Sequence, residues 1–541
     1  MPQSSLWGRS TDRIADGMAI ALLAAMALIA ALTFRDYGLG WDDYTHSQYG
    51  ELLLQFFASG FSDRRALSFV NLYEYGGGFD MAAALLAKIL PFDLFEARRL
   101  AGAAVGLIGL AVTWRIGRRI GGPLAGLIGL ILLAACPLYY GHMFMNPKDA
   151  PFAVAMAVLV LALVRAFEEY PAPSLATAAL TGIGIGLAIG TRILGVFAGV
   201  YALAVLVFVL AVEMRRFGVR PAADRAGAFV VALLPALILA YAVMALVWPW
   251  SIAEPLNPIK ALLYFSHFFE KPWRELFAGN LVLVPDMPRR YVPQLLALKL
   301  PEIMLALGLC GLVGAFVAAA RRVLPVQRRA MLLILALAAA LPVAVTVATR
   351  PAMYNGVRHF LFVLPPFAAL GALAGAWLIE RITRWRPAAG VAMAGLIAAC
   401  CLPPVIEMVR LHPYQYTHFN LIAGGVRGAE HRFMLDYWGL SLKQASQALR
   451  ASVGHDPEPT GRHWRVAVCG PHPPARIELG PSFDISWDPQ GADFAMVLGE
   501  FYCRALDAPV IAQVVRDGVV FARVYDIRGR SFSTLLTLPA P

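Results

Sequence analysis

Two adjacent carboxylates, Asp42 and Asp43, sit in the stretch Trp41-Asp42-Asp43-Tyr44-Thr45-His46-Ser47-Gln48-Tyr49-Gly50, just after the first long apolar run. Beside a low-dielectric phase such a pair repels, and one member tends to keep its proton unless a cation, metal or phosphate counter-ion relieves it. A carboxylate in that position can act as a general base and take a proton from an attacking hydroxyl. An acidic pair is also a common solvated turn or cap, so placement decides between the two readings. Neighbouring side chains on a helix point about 100° apart, which makes a loop the expected host for two converging carboxylates. His46 is close in sequence and is a candidate to meet metal, phosphate or sugar, or simply to lie at an interface.

Other polar clusters interrupt the apolar sequence. Asp80 closes Tyr73-Glu74-Tyr75-Gly76-Gly77-Gly78-Phe79-Asp80, where it can cap the helix that starts there or contact a sugar hydroxyl. Lys148 and Asp149 fall in Asn146-Pro147-Lys148-Asp149-Ala150-Pro151. Asp149 suits a helix start with Pro151 in its first turn, and the pair also suits a phosphate and its counter-group. Arg192 lies between two apolar spans, a depth at which a charge is costly and a functional role is the default. A lipid phosphate is its natural anion. In Tyr354-Asn355-Gly356-Val357-Arg358-His359, Arg358 and His359 can hold a phosphate while Tyr354 stacks on a sugar. The expected phosphate contacts are Arg192, Arg358, Lys148 and His359; the expected substrate contacts are His46, Asp80, Asp149 and Tyr354. Trp248-Pro249-Trp250 and Trp273 serve either as interfacial anchors or as platforms for sugar or isoprene.

The elements that must position these groups are membrane helices. Of 541 residues 59% are hydrophobic and only 15% charged, well below the roughly 25% charge of soluble domains. Spans of about 20 apolar residues are expected near 17–34, 97–114, 121–138, 150–165, 174–190, 193–212, 226–248, 300–320, 330–348, 358–379 and 388–406, about eleven in all. The segment 79–90 is too short to cross and suits an interfacial helix. The net charge of +11 does not point to nucleic acid, because the dense arginine groups fall in short loops on one side: Arg115, Arg118 and Arg119; Arg165; Arg215 and Arg216; Arg321 and Arg322; Arg381, Arg384 and Arg386. The positive-inside rule then places the N-terminus in the cytoplasm, with loops 35–96 and 249–299 outside. Residues 1–406 read as a membrane domain and 407–541 as an extracytoplasmic α/β domain with alternating β-branched runs. Cys469 and Cys503 both fall in that domain, and a disulfide between them is one outcome its compartment allows. The remaining four cysteines lie in or beside apolar runs.

The chain has no phosphate-binding glycine loop, zinc-helix motif or nucleophile elbow, which argues against ATP-driven chemistry. Asp42-Asp43 with His46 and Tyr49-Gly50, Asn146-Pro147-Lys148-Asp149, Thr191-Arg192 and the 354–359 group resemble the GT-C glycosyltransferases. The likeness is narrower to family 39, with its protein O-mannosyltransferases and lipid A aminoarabinose transferases, and covers roughly 15–405. Leu411-His412-Pro413-Tyr414-Gln415-Tyr416 and Leu435-Asp436-Tyr437-Trp438-Gly439-Leu440 look like runs in bacterial members. The resemblance implies a GT-C-like polytopic α-helical fold in a bacterial inner membrane and inverting hexosyl or pentosyl transfer. The donor would be a polyprenyl-phosphate sugar and the acceptor a hydroxyl of a lipid, glycan or protein on the extracytoplasmic face. Asp42 and Asp43 would be the catalytic pair, and a divalent metal, held here by Asp43 and His46, occurs in some members. No nucleotide and no nucleic acid is expected. The family's second acidic residue is usually Glu, and here it is Asp43. The competing classes are a secondary transporter or lipid flippase, which would spread its charges along broken helices near the midplane, and a non-catalytic scaffold, which would lack a deep polar site.

Overall fold

The computed structural model of the protein describes residues 9–268, 270–454 and 461–536. Among these, nine helical stretches are long and apolar enough to cross a membrane. The eleven expected spans are present with two regroupings. Helix α4 (Leu94–Ala134) runs through two of them, and Gly122, at φ 84° and followed by Pro123, breaks it. The chain reverses there, because a Cβ on Gly117 would lie 2.9 Å from the carbonyl oxygen of Ala125. The other is α7 (Leu175–Thr191), 17 residues long and shorter than the rest.

The remaining elements of the first half follow from local pattern. Helix α1 (Arg9–Thr33) exposes Ile14, Ile20 and Leu32 on its outer side, as expected where lipid replaces water as the neighbour. Helix α2 (Asp43–Ala58) begins at the acidic pair, so the expected loop is instead a helix start. Helix α3 (Gly78–Ile89) is the short amphipathic element anticipated for 79–90, with Leu85 and Ile89 exposed and Ala83 and Ala84 buried. Helices α5 (Pro137–Met145) and α6 (Asp149–Glu168) follow α4. Arg192 sits in extended backbone (φ −146°, ψ 135°) between α7 and the next long helix, α8 (Phe197–Phe217). The ambiguous break at Thr191-Arg192 is therefore real.

Loop 249–299 carries a two-stranded hairpin, β1 (Arg274–Phe277) and β2 (Asn280–Leu283). The C-terminal part holds a five-stranded sheet in the order β4-β3-β5-β7-β6, built from β3 (Trp464–Cys469), β4 (Phe483–Ser486), β5 (Phe494–Leu498), β6 (Val510–Arg516) and β7 (Val519–Asp526). Strand β3 is parallel to β4 and β5, whereas β5–β7 and β7–β6 are antiparallel. A disulfide joins Cys469 and Cys503. The sheet starts well after residue 407. The intervening chain lies on the helices, where Asn420 donates to the carbonyls of Ala297 and Leu300. One apolar core runs without interruption from Leu132 through Tyr416 to Val524, so the C-terminal part is seated on the membrane helices.

Candidate active site

The start of α2 separates the acidic pair. Asp43 turns inward and is 1% exposed. Its two oxygens accept from Arg99 at 2.9 and 2.7 Å and from the Gly40 N–H at 2.8 Å. Both oxygens are thus occupied by a bidentate pair, the strongest geometry available to a carboxylate. One turn further on, His46 Nδ1 is 2.6 Å from Asp80, and the other oxygen of Asp80 accepts from Arg98 at 2.7 Å. Burial pushes Asp80 up, but His46 and Arg98 outweigh it and hold the carboxyl below its usual value. Four expectations change here. Asp43 is a tie between α2 and α4 rather than a catalytic group. His46 and Asp80 are a buried pair rather than substrate contacts, and Asp80 is not a cap. Asp43 does not fit a metal, because both its oxygens are committed to Arg99 beside a second guanidinium, and His46 keeps only its buried Nε2 without a hydrogen-bond partner. Among the described residues no cluster of three or more His, Cys, Asp or Glu is arranged to hold one.

Asp42 points the other way. Its side chain is 34% exposed and lies 3.3 Å from Lys148 Nζ. Burial raises its pKa, but the charges of Lys148, His46 and Arg358 prevail and hold it at about 2. Lys148 in turn lies over the Tyr75 ring at 4.9 Å. Next to it, Asp149 is gripped on both oxygens: Arg192 approaches one at 2.6 Å and Arg358 the other at 2.9 Å, with Asn146 donating at 2.9 Å. Both oxygens of the buried Asp149 are taken by the two arginines, so it orients them, and it is no simple helix cap. Three cations then face two carboxylates, which leaves one positive charge in excess. Lys148, Arg192, Arg358, Asp42, Tyr354 and His359 are brought into one region. Tyr354 lies against Arg358 at 5.2 Å and His359 at 5.6 Å. That region can hold an anion and present a carboxylate beside it.

Groups that the sequence did not single out complete the region. Arg98 and Arg99 are one omission. They stand at the start of a helix on the face opposite the other arginine groups, and that breach of asymmetry was the available signal. Trp438 is another. Its ring meets Arg358 at 4.8 Å, and a Cβ on Gly40 would lie 1.5 Å from its Cδ1. Only glycine permits that approach two residues before Asp42. Tyr437 beside it hydrogen bonds His142 at 3.1 Å. Glu275 of β1 is the third omission. It accepts from Tyr291 and from the N–H groups of Asn355 and Gly356, which fixes the turn before Arg358. Burial pushes its carboxyl up to about 7 in spite of those donors.

The sequence model of the family described as dolichyl-phosphate-mannose-protein mannosyltransferase matches residues 78–250. Over that segment, about a third of the chain, the protein is similar to this family. The matched segment holds Asp80, Lys148, Asp149 and Arg192, while Asp42 and Arg358 fall outside it. Among solved structures, ArnT from Cupriavidus metallidurans bound to undecaprenyl phosphate is similar at 17% identity and TM-score 0.46, over 95% of this chain and 99% of that one. The Archaeoglobus fulgidus oligosaccharyltransferase is similar at 14% identity and TM-score 0.47, over 84% of this chain and 62% of that one. No curated protein matches.

Proposed function

We propose that the protein transfers a sugar from a polyprenyl-phosphate donor to a hydroxyl acceptor, with inversion. The observation that supports it is the contrast at the acidic pair: Asp42 stays open and ionised beside an anion-binding cluster with one charge to spare. In this reading the donor phosphate meets Lys148, Arg192 and Arg358. The acceptor oxygen attacks the anomeric carbon as the bond from that carbon to the phosphate oxygen breaks. The electron pair leaves on polyprenyl phosphate, where the cations stabilise it. Asp42 takes the hydroxyl proton. A carboxyl near pKa 2 is a weak base, and the bound donor corrects this. Its phosphate satisfies Lys148 and Arg358, loosens their hold on Asp42 and raises its proton affinity.

Two observations support an extracytoplasmic location for this chemistry. The arginine groups Arg115, Arg118 and Arg119 lie at the far end of the helix that begins beside the site. The positive-inside rule favours the cytoplasm for that end. The Cys469–Cys503 disulfide suits an oxidising compartment for the C-terminal part. The test is reconstitution in proteoliposomes with a panel of polyprenyl-phosphate hexoses and pentoses. Release of polyprenyl phosphate together with a glycosylated acceptor is expected. Solute uptake without sugar transfer would overturn the reading in favour of a transporter.

A further inference from the structure

A second charged cavity lies at the other end of the helices. It has a volume of about 200 Å³ and is lined by Arg115, Arg118, Arg119, Leu161 and Arg165. Arg115 is sixteen residues along α4 from Arg99, and Arg165 is sixteen along α6 from Asp149, so the cavity is about 24 Å from the site by helix rise. The charges in it are unequally met. Arg118 is held by Asp16 at 2.7 Å, with Asp12 near it, and Arg119 is held by Glu168. Arg165 reaches Glu169 only at 3.6 Å, and its Nε is buried with no hydrogen-bond partner. Arg115 lies over the Trp114 ring at 5.8 Å and has no carboxylate partner among the described residues. Arginines that only anchor topology need no enclosed space and stand in water. A buried unsatisfied guanidinium donor carries a desolvation cost that a ligand can remove.

We propose that this cavity binds the phosphodiester headgroup of an anionic membrane lipid. Its volume is below the roughly 300–1,000 Å³ typical of small-molecule pockets, so it suits a headgroup rather than a cofactor. The two non-bridging oxygens of a phosphodiester accept from the planar donor fork of a guanidinium, and the free donors of Arg115 and Arg165 are the pair it would satisfy. The lipid's tails would stay in the bilayer against which α4 and α6 end.

The experiment uses the full-length protein released from phosphatidylglycerol nanodiscs, with bound lipid read by native mass spectrometry. Wild type should retain phosphatidylglycerol, and Arg115→Gln/Arg165→Gln should retain it at least about tenfold less well. Arg321→Gln/Arg322→Gln removes the same charge from exposed positions, without an ion pair among the described residues, in another short arginine-rich loop and should behave as wild type. Equal loss in both double variants would mean general surface attraction and overturn the proposal. Displacement of the lipid by millimolar inorganic phosphate would assign the cavity to the free anion and also overturn it. Should the first double variant fail to fold, Arg115→Gln alone must show the same direction of change, and no change there would again overturn it.

Discussion

Asp42 and Asp43 are one peptide bond apart and meet opposite fates. Asp43 belongs to a closed set with Arg99, Arg98, Asp80 and His46, in which each carboxylate oxygen has a cation or donor. Asp42 belongs to an open set in which Lys148, Arg192 and Arg358 outnumber the carboxylates and the side chain keeps access to solvent. The closed set ties α2, α3 and α4 together, and its carboxylate oxygens are all engaged. The open set has one positive charge to spare and one reachable carboxylate. Identity and position in the sequence do not separate the two residues. The direction of the side chain at the first turn of α2 does.

The comparison can be broken from either side. The largest effect is expected in the closed set. Arg99→Met leaves Asp43 buried without its partner and should cost about 3–5 kcal/mol of stability, read by thermal or denaturant unfolding in detergent. In the open set, Arg358→Gln should cost less stability, because Arg192 still holds the buried Asp149, and lower the transfer rate by about 10²–10³, because it removes a charge that stabilises the leaving phosphate. Lys148→Met should move the acid limb of the kcat/KM profile to higher pH. The lysine is the strongest charge holding Asp42 near 2, and its loss raises that carboxyl. Glu275→Gln should give the smallest change. The folded-state pKa of Glu275 is raised to about 7, so its contribution to stability is full below its unfolded value and is lost as pH rises through 7. The amide should flatten that slope in unfolding measured between pH 5 and 8.

Much of the fold was legible because apolar runs of spanning length leave few alternatives. The short interfacial helix and the break at Arg192 were legible for the same reason. Arg192, Arg358, Lys148 and His359 were expected together as phosphate contacts, Arg192 because a charge at that depth is costly and rarely idle, while Asp149 was expected to contact substrate. The direction of each side chain was not legible. A loop was expected at the acidic pair, and the helix beginning at Asp43 turned one carboxylate to Arg99, some 56 residues away in sequence. His46 and Asp80 looked like ligands because nothing local showed that they would find each other. Trp438 and Glu275 come from distant segments, and only tertiary packing brings them to Arg358.

The most direct test sets Asp42→Asn beside Asp43→Asn, with sugar transfer in proteoliposomes and thermal midpoint measured on both. Asp42→Asn is expected to keep its midpoint and lose about 10²–10⁴ in kcat, the usual contribution of a positioned general base. Asp43→Asn should show a clearly lowered midpoint, with transfer surviving in the fraction that folds. Full transfer by folded Asp42→Asn, or loss of turnover by Asp43→Asn at an unchanged midpoint, would contradict this division of roles.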